Sequence, residues 1–568
     1  MHLALLGLAF QLGFASLPTA GVQSSRADAA ADSLRDLKRA RSAQSSFEFM
    51  RRGSLPERSG SDGRCEVHLG RFCWWYDEIP PVLPPEPKSI ARRRAELLFT
   101  LDSLGDLHPG DDWIAGMRVH YRIDGGNAAG ADSVARDCRA TAWWCSALTG
   151  YADHVLGQAV AAETAFVDAF GAMPEAERCK WRDISTLLPG KLRDRYEKMS
   201  CDARASVEAR YWLLSRPQLS RPVNEWRTEF YVRRVQSRIA ERAATPQPGS
   251  WGDDAAELLL RYGWPVGWSR VASNPYMIGL PSVIGHDPVP SFAFAPAEDL
   301  FDSLSAASDG AWRMHEHLAE SRFAPRLVRR VAPVAAQLAR FRRGDSVLLV
   351  AAYAVRDDSL RADAAATVGA TIRDGRTFDA ASYDSAGHAR LALPEPPVLA
   401  GVEVTDTVTR TLGRSRTLFP IRTGAKGVAL SDLLLYRTGE NPPASLDSAL
   451  STAIPGDTVA RTRPVGIYWE TYGLPDSART LDIAVTVERI DHSWFRSARE
   501  RIGLADPDSP LKIKWSDARP PEPGGAAPRA VSLDLSNLDP GRYRITVSLA
   551  RTEGDAVESS REIQLRER

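Results

Sequence analysis

The chain lacks net charge, because 72 Lys and Arg balance 72 Asp and Glu. No strong field of either sign draws nucleic acid or an anionic membrane surface, so both drop out as expected partners. Long apolar runs are missing as well. Residues 3–17 and 347–355 are apolar, but both fall short of the ~20 residues a membrane-spanning helix needs. The mature chain is therefore expected to carry no transmembrane helix. There is no GxSxG, no Walker A loop and no paired glycine-rich dinucleotide loop, which removes the commonest sequence-readable nucleophile and phosphate sites. There is also no CxxC, so a zinc site ranks below disulfides as an account of the cysteines. Lysine is scarce, outnumbered by arginine roughly eight to one, a ratio read as base composition rather than chemistry. No cofactor and no metal are expected.

The length of 568 residues implies several domains, because one core rarely serves more than about 250–300 residues. Residues 1–24 read as a signal peptide: a short apolar run ending in small residues. A buried N-terminal helix is the alternative, since the segment before the run holds His2 but no Lys or Arg. Cysteine use supports export. Cys65, Cys73, Cys138, Cys145, Cys179 and Cys201 all fall in the N-terminal third, and their number is even. Pairing neighbours in sequence (65–73, 138–145, 179–201) closes the shortest loops, although other connectivities stay open. On one helix Cys138 and Cys145 would sit about 10 Å apart, too far to bond. Their pairing requires a turn near Ala140 and Thr141.

The expected fold is multidomain α+β. Residues 25–88 form a mixed, Cys-containing segment with Trp74, Trp75 and Tyr76, closed by a Pro-rich linker at 80–85. Residues 89–199 read as helical repeats. Ile114, Gly116, Met117, His120, Ala128, Ala131 and Ala135 recur about 34 residues later as Leu148, Gly150, Tyr151, His154, Ala162, Ala165 and Ala169, the tetratricopeptide period. Gly157, Phe166 and Pro174 fall at that motif's small, aromatic and proline positions. Residues 200–330 form a mixed central region. Within it, 258–262 reads as a strand ended by Gly263 and Pro265, and 296–304 as helical. From about Ala335 the period becomes two. Residues 331–440 and 455–568 then predict two antiparallel β-sandwiches, with the LLLYRTG strand in the first and Arg343-Gly344-Asp345 as a hairpin turn.

Residues 210–265 resemble the GWxTD-domain family of exported bacterial proteins. Tyr211 to Pro217 follow its Trp-containing helix, with Arg216 where the family usually has Asp. Asn224, Glu225, Glu229, Phe230 and Arg233 follow the Asn-Glu…Glu-aromatic…Arg segment. Ser250-Trp251-Gly252-Asp253-Asp254 aligns with the signature: Trp251 and Asp254 match, while Ser250 replaces Gly and Asp253 replaces Thr. Arg261, Tyr262, Gly263 and Pro265 complete it, with Trp264 for the first Pro. The match marks a divergent member. The resemblance implies helical repeats upstream and β-sandwiches downstream, and no transferable activity.

The polar residues of this motif invite two interpretations. Glu225 and Asp254 could pair as a carboxylate acid/base site of an envelope glycan or peptide hydrolase. Alternatively, Trp212, Asn224, Glu225, Glu229, Trp251, Asp254, Arg261, Tyr262 and Gly263 form a structural network in which carboxylates pin arginines. The second is favoured, since no nucleophile or metal partner stands at a recognisable spacing. His120 and His154 occupy equivalent repeat positions, which favours packing over ligation. His315 and His317 are two apart and face apart. Gly285-His286-Asp287 reads as a loop turn. Fifteen tryptophans leave room for exposed ones that grip a protein or a sugar. The expected function is an extracytoplasmic interaction scaffold with a protein partner. A glycan-binding module for the cell envelope is a third reading.

Overall fold

The computed structural model describes residues 20–58, 65–74, 82, 85–271, 283–287, 291–302, 312–314, 321–355, 360, 365–373, 375–382, 387–420, 428–474, 480–491, 510–518, 525–550 and 556–568. The apolar part of the expected signal peptide lies outside the described residues. So do Trp75, Tyr76, most of the 80–85 run, and His315 and His317.

Eleven helices open the described chain: α1 (Ala20–Ser54), α2 (Lys88–Leu107), α3 (Asp112–Asp124), α4 (Ala128–Arg136), α5 (Ala142–Leu156), α6 (Ala159–Ala172), α7 (Glu175–Arg182), α8 (Gly190–Glu197), α9 (Cys201–Leu214), α10 (Glu225–Ala240) and α11 (Asp253–Tyr262). Helices α3 and α4 form one hairpin and α5 and α6 another, and the small residues related by the 34-residue offset in the sequence fall within them. Asp111 and Asn127 cap α3 and α4, accepting from Ile114 N and Gly130 N. Gly157 ends α5 at φ 80°, a backbone state that favours glycine. A Cβ at Gly150 would lie 3.0 Å from the Phe166 ring, so the seam between α5 and α6 needs a residue without one. All three sequence-local disulfides form, with Cα–Cα distances of 5.5, 5.6 and 5.8 Å. Cys138 follows α4 and Cys145 lies in the first turns of α5, so the chain reverses between them.

Three expectations about helices need correction. The segment 25–88, read as mixed, opens inside a helix of 35 residues. Its inward face carries Gln44, Glu48 and Arg51 beside Ala40 and Phe47, all buried, and those polar residues mask the apolar period. The Tyr121 hydroxyl donates to Glu48 at 2.7 Å. Residues 258–262 are the end of α11, not a strand. Asp253 and Asp254 occupy its first turn, and Ala255, Leu259 and Tyr262 are buried at helical spacing. Residues 298–302 form turns rather than the expected helix, with bonds such as Leu300 N to Ala297 O.

Glu48 supplies a pH test of this core. Burial pushes its carboxyl up to about 7, with Arg51 opposing. A raised carboxyl stabilises the fold fully below its ordinary value, and that contribution is lost as pH rises through about 7. Glu48→Gln removes the loss. Urea midpoints should therefore show the variant gaining on the parent between about pH 5 and about pH 8; a difference that does not change with pH would refute the assignment.

Short strands surround the end of the helical body: β1 (Glu57–Arg58), β2 (Val67–Leu69), β3 (Phe72–Trp74), β4 (Gly267–Val271), β5 (Val283–His286), β6 (Phe292–Phe294) and β7 (Trp312–Met314). Gly285 and His286 thus end a strand, where a loop was expected. The first β module follows with β8 (Arg330–Arg343), β9 (Ser346–Val355), β10 (Ala365–Ile372), β11 (Thr377–Ser382), β12 (His388–Leu393), β13 (Pro397–Asp406) and β14 (Thr411–Leu418). They form one sheet in the order β11-β10-β13-β14-β8-β9-β12. Gly344 and Asp345 sit at the β8–β9 turn, where Arg343 faces Ser346.

The second β module comprises β15 (Ala429–Leu430), β16 (Leu434–Arg437), α12 (Leu446–Ser451), β17 (Thr458–Ala460), β18 (Val465–Tyr472), β19 (Thr480–Arg489), β20 (Leu511–Ala518), β21 (Ala526–Leu533), β22 (Gly541–Leu549) and β23 (Val557–Arg566). One sheet holds β15, β18, β16 and β21; the other has the order β17-β23-β22-β19-β20. Ile467 and Trp469 of the first share a core with Val485, Val487, Ile545 and Val547 of the second. The Tyr543 hydroxyl returns to Asp539 O at 2.8 Å, fastening the turn before β22.

The β region departs from expectation in two ways. The LLLYRTG strand pairs with β18, so it belongs to the second module rather than the first. Pairing is not wholly antiparallel either: β14 runs parallel to β8, and β17 to β23. The modules also share a seam, in which Phe341 and Val350 pack with Leu434, Leu450 and Tyr468. Gln337 and Arg561 donate to backbone carbonyls across it.

Candidate functional site

The motif residues 210–265 converge where α10 meets α11. Asn224 caps α10, accepting from Trp226 N at 3.0 Å while its amide donates to Trp212 O at 2.7 Å. Trp212 packs against Phe230 with ring centroids 5.4 Å apart. Arg233, 2% exposed, is the centre of the arrangement. Its guanidinium donates to Leu260 O at 3.1 Å, Arg261 O at 2.8 Å and Arg322 O at 2.7 Å. The last carbonyls of α11 have no partner within the helix, and this side chain satisfies them. Gly263 follows at φ 86°, and a Cβ there would lie 3.1 Å from an Arg233 nitrogen. The glycine leaves room for the clamp.

Glu229 completes the network, accepting from Arg233 Nε at 3.1 Å and lying 2.7 Å from His154 Nε2. Burial raises its carboxyl, but Arg233 and His154 outweigh burial and hold it well below the usual carboxylate range. Arg261 pairs with Glu257 at 2.5 Å. Tyr262 stacks on Trp74 at 4.4 Å, tying the Cys65–Cys73 hairpin to α11.

The structure does not bring Glu225 and Asp254 together as an acid/base pair. Glu225 accepts from Arg221 at 2.7 Å. Asp254 is bound by Arg71, whose Nε donates at 2.8 Å, and this hydrogen bond holds its carboxyl well below the ordinary value. Each stands at the start of a different helix, and they share no partner. His154 bonds Thr228 and Glu229, while His120 lies between the Tyr121 and Trp264 rings, pushed down to about 4 by burial. Among the described residues no group of three His, Cys, Asp or Glu is arranged to hold a metal.

One pair was invisible in the sequence. Ser269 Oγ lies 2.7 Å from His286 Nε2 across β4 and β5. The geometry resembles a nucleophile with its base, but both residues are 2% exposed and neither lines the cavities nearby.

Those cavities flank the segment 262–265. One, of about 620 Å³, is walled by Phe72, Trp74, Trp251, Tyr262, Trp264 and Trp268. The other, of about 430 Å³, is lined by His120, His154, Glu225, Glu229, Asp287 and Arg322 among others. Asp254 lines neither. A concave aromatic wall with a few polar groups is the usual chemistry of a binding seat. The tryptophans were visible in the sequence; their convergence was not, because it depends on β3, α11 and β4 meeting.

The chain is an α+β protein with a disulfide-bonded helical region and a large C-terminal β region, and among the described residues no helix is long and apolar enough to cross a membrane. No protein-family model and no curated protein matches it. Among solved structures it is similar to a tetra-tandem repeat in the extending region of a large adhesion protein, at 11% identity and TM-score 0.14, covering 51% of this chain and 61% of that one. The chain thus spans about three-fifths of that structure's length. It is also similar to red sea bream transglutaminase, at 13% identity and TM-score 0.12, covering 45% of this chain and 37% of that one. At these scores neither likeness defines the fold or an activity.

Proposed function

We propose that this is an exported interaction scaffold for a protein partner, divergent from the GWxTD type, with its ligand seat in the aromatic cavity. On this reading the hairpins α3–α4 and α5–α6 are tetratricopeptide-like repeats, and the β modules are sandwiches that extend the contact surface. Three disulfides suit an oxidising compartment. The carrying observation is the 620 Å³ cavity, whose tryptophans Trp251, Trp264 and Trp268 are half-buried rather than sealed in a core. The ionisable motif residues, by contrast, are engaged in pairs: Glu229 and Arg233 hold α10 to α11, and Glu225, Asp254 and Arg261 pair with Arg221, Arg71 and Glu257.

The half-buried tryptophans also favour a second reading, a seat for cell-envelope glycan, since indole faces stack on sugar rings as readily as on apolar side chains. Crosslinked capture from the native envelope separates the two. With the partner identified, Trp268→Ala should weaken its binding by about 2 kcal/mol, roughly thirtyfold, with the melting temperature as a control. Unchanged affinity removes the seat from this cavity. Trp268-dependent binding of envelope glycan fragments would favour the second reading, and loss of a hydrolytic activity in a folded Glu225→Gln variant would restore the hydrolase.

A further inference from the structure

A larger cavity than those two lies elsewhere, between the helical body and the first β module. It measures about 1190 Å³. Helix α9 and the start of α10 form one wall; the end of β10, the starts of β11 and β13 and the end of β14 form the other. Trp212, Leu213, Ile372, Leu418 and Phe419 make it largely apolar.

Its charge is one-sided. Among the described residues, Arg210, Arg216, Arg227 and Arg373 line it against two carboxylates, Glu163 and Asp302. Arg227 pairs with Glu163, and Asp302 pairs with Arg195, which is not part of the lining. The other three arginines have no carboxylate partner among the described residues. Arg210 donates only to the Leu300 and Phe301 carbonyls. Arg216 is 9% exposed and donates to the Thr377 hydroxyl and to the Leu219 and Arg221 carbonyls, while its Nε finds no acceptor. Burial pulls this guanidinium below its ordinary value, and Glu403 only partly opposes that. Arg373 is exposed at the end of β10.

In a chain of zero net charge, this is a local cationic excess on an apolar wall. Guanidinium forks match carboxylate and phosphate oxygens, and removal from water strengthens the match. We propose that this cleft binds an amphiphilic anion, its carboxylate or phosphate head held by Arg210, Arg216 and Arg373 and its apolar body lying against Trp212, Leu418 and Phe419.

Isothermal titration of the full chain tests this with decanoate, decyl phosphate, inorganic phosphate and decyltrimethylammonium, each below its micelle threshold. At least one decyl anion should bind, and the one that binds more tightly identifies the head group. Inorganic phosphate should bind at least about tenfold more weakly, for want of the body, and the cation should not bind. Arg216→Gln also removes contacts that hold the 215–224 loop, so the exposed Arg373 is the deciding position. Arg373→Gln should weaken anion binding about tenfold with an unchanged melting temperature, and Arg373→Lys should recover part of the loss. Equal binding of the cationic amphiphile, unaltered affinity in Arg373→Gln, or no binding of either decyl anion would overturn the proposal.

Discussion

Arg233→Met should destabilise the helical body by about 3–5 kcal/mol, the usual cost of removing one partner from a buried ionic network. The side chain does three things at once: it satisfies the carbonyls at the end of α11, holds Arg322 O, and offsets the Glu229 charge. Methionine fills much of the volume but supplies no donor, which removes the Arg233 bond from Leu260 O and Arg322 O, leaves Arg261 O with Arg322 N, and leaves Glu229 with His154 alone. Urea denaturation should show the loss at neutral pH. A depressed carboxyl such as Glu229 contributes stability above its ordinary value of about 4.3, and that contribution is lost as pH falls through the folded value. The parent should therefore lose stability in acid, and Arg233→Met, with its carboxyl less depressed, should lose less there. Glu229→Gln combined with Arg233→Met should regain part of the single variant's deficit. Arg221→Met serves as a control, because Arg221 is 36% exposed in its pair with Glu225 and such pairs contribute about 1 kcal/mol or less. A loss below about 1 kcal/mol in Arg233→Met would mean that α11 is held by packing alone.

Small residues at a 34-residue offset coincide with two helical hairpins, because close approach of helices excludes large side chains locally. The sequence offered the observed cysteine pairing as the one that closes the shortest loops but left other connectivities open, since only the fold brings the sulfurs together. The Glu229–Arg233 pair was readable from its helical spacing, but the reach of Arg233 to the end of α11 was not. Legibility failed wherever burial and polarity separate. In α1 the inward face carries Gln44, Glu48 and Arg51, so no apolar stripe marks the helix. Three consecutive leucines at 258–260 read as a strand because the acidic first turn of α11 stands outside that window. The partner of β16 could not be read either, since two neighbouring modules offer strands of equal pattern and only packing selects β18. The arginine-lined cleft was hidden most completely: Arg210 and Arg373 are far apart in sequence and meet only because one loop seats on a sheet.

That loop depends on Glu403. The residue sits on β13, is 1% exposed, and accepts from Leu219 N at 2.5 Å, Ser220 N at 3.1 Å and the Ser220 hydroxyl at 2.5 Å. Around it, Arg414 and Arg416 donate to Pro217 O at 3.0 and 3.2 Å, and Gln218 donates to the Thr405 hydroxyl at 3.1 Å. Gly369 permits the approach, since a Cβ there would lie 3.0 Å from Leu219 Cβ. Glu403→Ala leaves two amides buried without acceptors and should cost roughly 3–5 kcal/mol, at 1.5–3 kcal/mol for each bond to a charged group less partial relaxation. The loss should be local to the junction. Calorimetry should resolve separate transitions for the helical body and the β region where the parent shows one, and protease should cut between residues 215 and 224. Glu403→Gln keeps one acceptor and should fall between the two. The same substitution tests how the arginine cleft is built. Removing a negative charge near Arg216 would, by Coulomb attraction alone, tighten an anion. If Glu403 instead acts by seating the loop that carries Arg216, decyl anion affinity should fall in Glu403→Ala. A single sharp transition with anion affinity raised would show that the helical body and the sheet are joined by their apolar contacts, with Glu403 contributing charge and nothing more.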